Sequence, residues 1–99
     1  MPKQSEKGTE KYLKEQVHKA GGICRKYVSP GIRGVPDEIC LMPNGKVIWV
    51  ELKSEGDQPE QHQLREHWRM QALGHIVYII DTKERVDGLL APYFTYPKF

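Results

Sequence analysis

The chain has 99 residues, a formal net charge of +2 and two cysteines, which suits one domain around a single core and no larger assembly of domains. No apolar run reaches signal-peptide or transmembrane length, no repeat or low-complexity tract is present, and Cys24 and Cys40 lack metal-ligand spacing. Membrane-spanning, solenoid and zinc-finger classes are therefore excluded, and a soluble cytoplasmic protein with two buried, reduced thiols is expected.

Charge is distributed unevenly. Residues 1–33 carry eight Lys and Arg against three Glu, a local +5, and such a basic third suits a phosphate-facing surface or a solvated helix face equally well. Residues 1–5 are expected to fray. Residues 6–20 read as a helix with Leu13, Val17 and Ala20 as its apolar stripe, and Gly21-Gly22 as its stop. At 100° per residue, Glu10 lies about 20° from Val17, at the edge of the buried stripe. It is either a favourable charge near the helix N-terminus, a role Glu6 fills equally well, or an acid aimed inward for a purpose. A strand over 23–28 follows, interrupted in character by Arg25 and Lys26. The 29–34 loop carries Pro30, Gly31 and Gly34 and suits close approach to a ligand. Arg33 in that loop can hold a phosphate or simply face solvent.

The segment from Asp37 to Lys53 reads as a β-hairpin around Pro43-Asn44-Gly45. A plain two-residue Asn44-Gly45 loop would set Met42 against Val47 and turn Asp37 and Glu51 to opposite faces. A three-residue loop with Gly45 in a left-handed bulge position instead pairs Met42 with Lys46 and Asp37 with Glu51. Directly opposed residues share a face at roughly 5 Å between Cβ atoms, and two carboxylates that close favour a divalent cation between them. Lys53 shares the face of Glu51, two residues along the strand. A solvated ladder of ion pairs is the commonest meaning of such charges, but Ile48-Trp49-Val50 leading into Glu51 reads as a buried strand.

A polar loop over 54–58 precedes a second helix from 59 to 73, with Pro59 in its first turn. Gln61 lies nearer the Leu64, Trp68 and Ala72 stripe, and Gln63 lies on the face of Met70. His62, His67 and His75 share no ligand spacing with a second donor and read as surface or cap residues. Residues 76–80 form a β-branched and aromatic run expected of a central strand covered on both faces. Residues 82–90 make a closing helix, and the 91–99 tail holds Tyr93, Phe94, Tyr96 and Phe99, packed on its own core or in a partner subunit. The order helix, strand, hairpin, helix, strand, helix predicts an α/β/α sandwich with a mixed central sheet.

Gly34-Val35-Pro36-Asp37 followed by Glu51-Leu52-Lys53 resembles the VRR-NUC family, a branch of the PD-(D/E)xK nuclease superfamily. Further matches follow in order: Glu10, Lys26 before Ser29-Pro30-Gly31, Gln63 and Gly74. The resemblance covers roughly residues 6–90, a single domain with the aromatic tail appended. It implies a restriction-endonuclease-like fold and catalytic roles for Glu10, Asp37, Glu51, Lys53 and Gln63. Asp37, Glu51 and the Leu52 carbonyl would hold Mg2+ or Mn2+, with Glu10 assisting through water. Lys26, Arg25 and Arg33 would face the DNA. Standalone members of the family look like homodimeric Holliday-junction resolvases, so the expected partners are four-way DNA and a second copy of the chain. Flap or nick cleavage by the same site, or a non-catalytic DNA-binding module, are the alternatives.

Overall fold

The computed structural model describes residues 2–94. Helix α1 spans Glu6–Lys19, opened by the Ser5 side chain accepting from the Gly8 N–H and closed where the Gly21 and Gly22 N–H groups return to the His18 and Val17 carbonyls. Strands β1 (Ile23–Lys26), β2 (Glu38–Leu41) and β3 (Val47–Leu52) form an antiparallel meander. Helix α2 (Gln61–Ala72) carries the chain across to β4 (Val77–Ile80), which lies parallel to β3, and α3 (Lys83–Leu90) follows with Thr82 as its N-cap. The sheet order is β1-β2-β3-β4. One helical crossover and two antiparallel connections give this mixed order directly.

Alternation along β3 divides the two layers. Ile48, Val50 and Leu52 join Cys40, Met42 and Ile80 in a core closed by Leu13 and Val17 of α1 and Val86 and Leu90 of α3. Glu51 and Lys53 point the other way, toward α2. The hairpin register is the one its loop implies: Glu38 pairs with Val50 and Leu41 with Val47, and the Met42 N–H donates to the Lys46 carbonyl. Asn44 and Gly45 both take positive φ, 65° and 74°, which spaces the strands by three residues and so brings Asp37 opposite Glu51.

Several expectations are corrected. Residues 2–5 do not fray: Gln4 exchanges backbone and side-chain hydrogen bonds with Glu55, donates to Glu84 and accepts from the Lys83 N–H. The strand after α2 is an edge of the sheet, with Tyr78 exposed, because among the described residues no strand pairs beyond it. Pro59 precedes α2, whose N-cap is Glu60 in a reciprocal capping box with Gln63. Trp68 is 64% exposed, so α2 meets the sheet through its polar face and not through the expected apolar stripe. Tyr93 of the tail packs against the chain's own core and Phe94 is partly exposed, whereas Tyr96 and Phe99 lie outside the described residues. No described helix is long and apolar enough to cross a membrane. The thiols of Cys24 and Cys40, paired across β1 and β2, are free and lie 3.0 Å apart. Their mutual hydrogen bond, and then burial, push the Cys40 thiol up, so it stays protonated and inert.

Candidate active site

The site lies where β2 enters the sheet and β3 leaves it, under the first two turns of α2. Asp37 immediately precedes β2, and its Oδ2 accepts from the Leu52 N–H at 2.9 Å. That bond fixes the carboxylate against β3 beside Glu51. Glu51 is 1% exposed. Its Oε2 accepts from the Gln63 side-chain amide at 2.9 Å and lies 3.9 Å from Lys53 Nζ. Its Oε1 is buried without a hydrogen-bond donor and faces His67 Nε2 at 3.6 Å.

Gln63 is the organising neutral group. Its Oε1 accepts from Lys53 Nζ at 2.9 Å and from the Glu60 N–H at 2.8 Å, while its amide nitrogen serves Glu51. The same side chain therefore caps α2 and bridges the Lys53 ammonium and the Glu51 carboxylate, holding them at 3.9 Å. Gln61, by contrast, is exposed and accepts from Arg65.

Burial pushes the Glu51 carboxyl up to about 8, aided by the charge of Asp37 and a hydrogen bond shared with it, against a smaller pull from Lys53. Two carboxyl groups set this close favour a cation between them. The two carboxylates are hard oxygen donors of the kind a divalent ion takes, and the Leu52 N–H fixes one of them in place. Among the described residues no cluster of three or more His, Cys, Asp or Glu donors gathers. Mg2+ suits such a site, since it takes one or two carboxylates and keeps several waters.

The remaining sequence candidates are dispersed. Glu10 and Lys26 lie on the α1 side of the sheet around Glu38, which is 0% exposed. Lys14 Nζ is 3.8 Å from Glu10 and 4.0 Å from Glu38, and Lys26 pairs with Glu38 in register. Burial, and then a hydrogen bond with Glu10, push the Glu38 carboxyl up to about 7, against the ammonium groups of Lys14 and Lys26. The α1 acid whose charge reaches Glu51 is Glu6, in the first turn. Arg25 is exposed and donates to the Cys24 carbonyl, and Arg33 is exposed in the 29–34 loop.

His67 departs from the surface role expected of it. It is 3% exposed because it stands one turn after Gln63 on the same face of α2, and burial lowers its pKa and keeps the ring neutral against Glu51. The four-residue interval from Gln63 is the signal that points to it. Glu6 has a weaker one, its place in the first turn of α1.

Gly34 sets the approach of the 29–34 loop to α2. Its φ is +87°, and a Cβ there would collide with the His62 carbonyl oxygen and stand 2.8 Å from its carbon. Gly34→Ala is expected to cost about 3 kcal/mol or more, combining left-handed strain with a backbone clash. Urea denaturation of the variant checks it; an unchanged midpoint would mean the loop does not seat on the helix.

No family model matches the chain. The protein named "Putative nuclease p44" from Acyrthosiphon pisum secondary endosymbiont phage 1 is 52% identical over 79 residues, which span 80% of this chain and 85% of that relative. A solved structure described as a VRR_NUC domain superposes with a TM-score of 0.84 at 36% identity, covering 92% of this chain and 99% of that one. Identity at that level across nearly the whole of both chains accompanies the Asp37, Glu51 and Lys53 arrangement on a restriction-endonuclease-like sheet, and the chain belongs to the VRR-NUC family.

Proposed function

We propose that the protein is a Mg2+- or Mn2+-dependent endonuclease that hydrolyses DNA phosphodiester bonds, acting most specifically on four-way junctions as a homodimer. The observation that carries the reading is the buried pairing of Glu51 with Asp37, with Lys53 held alongside by Gln63. A nuclease-named relative and a VRR_NUC structure at 36% identity support it.

Asp37, Glu51 and the Leu52 carbonyl would hold the cation, with Glu6 bearing on its waters. A divalent ion in such a place polarises the phosphoryl oxygens and lowers the pKa of water. The chain's own contributions follow from the geometry. Lys53 places a flexible ammonium beside the carboxylates, where it orients the attacking water or stabilises charge developing on the phosphate. Gln63 holds that ammonium and the Glu51 carboxylate in fixed relation. As water adds to phosphorus it gives up a proton to solvent, the bond to the departing sugar oxygen breaks, and that oxygen takes up a proton in turn.

The site is built on the sheet itself, where contacts to the phosphate backbone position DNA without reading its bases. A two-fold dimer would present two sites matched to the symmetry of a four-way junction. The test is cleavage of labelled four-way junction, flap and linear duplex with Mg2+, Mn2+ or EDTA, alongside sedimentation. The expected result is metal-dependent, symmetric cutting of the junction by a species of twice the chain mass. Flap cutting by a monomer would keep the nuclease and remove the resolvase, and binding without any cutting would leave a non-catalytic module.

A further inference from the structure

We propose that the cleft between the 29–34 loop and α2 holds the phosphates of the DNA strand that passes through the active site, with Arg33, Arg65 and Arg69 as the residues that meet them. The inference rests on the nuclease reading and adds the path of the substrate. The cleft encloses about 290 Å³ and is lined by Gly31, Ile32, Arg33, His62, Arg65 and Arg69. Three guanidinium groups and no carboxylate line it.

Its charge is available to a ligand. Among the described residues neither Arg33 nor Arg65 lies within ion-pair distance of an acid. Arg65 donates only to Gln61 at 3.2 Å, and Arg69 meets Glu66 at 3.1 Å while its side chain stays 69% exposed. Planar guanidinium forks suit phosphate oxygens better than any other side chain. Arg65 and Arg69 are one turn apart, roughly 6 Å along the helix, so the pair can meet two separate phosphates of one strand, which recur about every 3.4 Å along its axis. Gly31 leaves open space where a Cβ would stand, so backbone can approach the strand.

Position ties the cleft to the chemistry. His62 lines it and is followed by Gln63, which touches both Lys53 and Glu51. Gly34, next to Arg33, seats the loop on the His62 carbonyl. A strand with its scissile phosphate over Glu51 and Lys53 runs on along α2. Of the other basic candidates, Lys26 is engaged on the α1 side of the sheet opposite Glu38, and Arg25 folds onto its own strand. The phosphate-binding groups thus fall on α2 and its facing loop and not on β1.

The experiment measures binding of fluorescently labelled four-way junction and duplex by anisotropy in EDTA, from about 50 to about 200 mM salt, for R65A/R69A, R65K/R69K and K11A/K19A. The last pair removes the same charge from exposed positions of α1. R65A/R69A is expected to weaken binding at least tenfold at low salt and to lower the slope of log affinity against log salt by roughly 1.8, at about 0.9 for each phosphate no longer neutralised. R65K/R69K should retain most of that slope. An unchanged slope in R65A/R69A, or an equal loss in K11A/K19A, overturns the assignment. Because binding is read without turnover, failure of the wild type to hydrolyse DNA would remove the nuclease reading and leave this measurement intact.

Discussion

Glu51→Gln is expected to lower metal-dependent DNA cleavage by roughly 10³-fold or more while leaving the protein folded and, at pH 8.5 without divalent cations, more stable than the parent. The activity loss follows from replacing an anionic oxygen donor by an amide at the site meant to hold a cation, which removes both affinity for the ion and the field that positions water. Stability should move the other way because the native carboxyl is 1% exposed, faces Asp37 and has its pKa raised to about 8. Above that pH the parent holds the buried Glu51 carboxylate beside the half-buried one of Asp37. The amide is nearly isosteric, still accepts from Gln63 and donates to Asp37, so a gain of about 1–3 kcal/mol is expected. At pH 5 the gain should vanish, since Glu51 then carries its own proton. Cleavage assays paired with urea denaturation at both pH values check it. Loss of activity together with loss of stability would mark Glu51 as a structural group and not a ligand.

The second large effect is a fall in stability with rising pH when divalent cations are chelated. Glu38 and Glu51 both have carboxyls raised from 4.5, to about 7 and about 8, chiefly by burial. In the unfolded chain these groups lose their protons near pH 4.5, whereas the folded chain keeps them until pH 7 to 8. Across that window the unfolded state binds fewer protons, so stability declines as pH rises and levels off above about 8. The drop between pH 5 and pH 8.5 should be several kcal/mol, at about 1.4 kcal/mol for each unit of raised pKa that is crossed, and should lower Tm by more than roughly 15 °C for a domain of this size. Excess Mg2+ at pH 8.5 should restore part of it by binding the ionised pair of the folded state. Two variants separate the contributions. Glu38→Gln should flatten the lower part of the profile and keep the Mg2+ response, and Glu51→Gln should flatten the upper part and lose it. A profile that is level or rises between pH 5 and pH 8 would show that neither carboxyl is protonated in the folded protein.

Both effects come from acids that the fold takes out of water, and they differ in how legible they are in the sequence. The hairpin around Asn44 and Gly45 is legible in the sequence and offers two registers, of which only the three-residue loop opposes Asp37 and Glu51; the structure takes that one. Lys53 follows from strand alternation. Glu38, beside Asp37, carries no such signal: neighbouring strand residues face opposite layers, and what lies in the other layer depends on where α1 packs.

The sequence by itself determined the α/β/α class, the approximate helices and strands, and a hairpin that can bring Asp37, Glu51 and Lys53 together if its loop has three residues. Each depends on interactions within a few residues or across one tight turn, and side-chain periodicity records those. Tertiary structure alone decided which side chains of α1 and α2 meet the sheet. It placed Glu6 within reach of Glu51, drew Glu10 and Lys26 to Glu38, buried His67 while leaving Trp68 exposed, and gathered Arg33, Arg65 and Arg69 into one cleft. The physical reason is that a helix's rotation and offset on a sheet are set by the sum of its packing and by a few buried polar contacts, here Gln63 and His67 on Glu51. A shift of one residue in that docking changes every neighbour, and periodicity within the helix is blind to it.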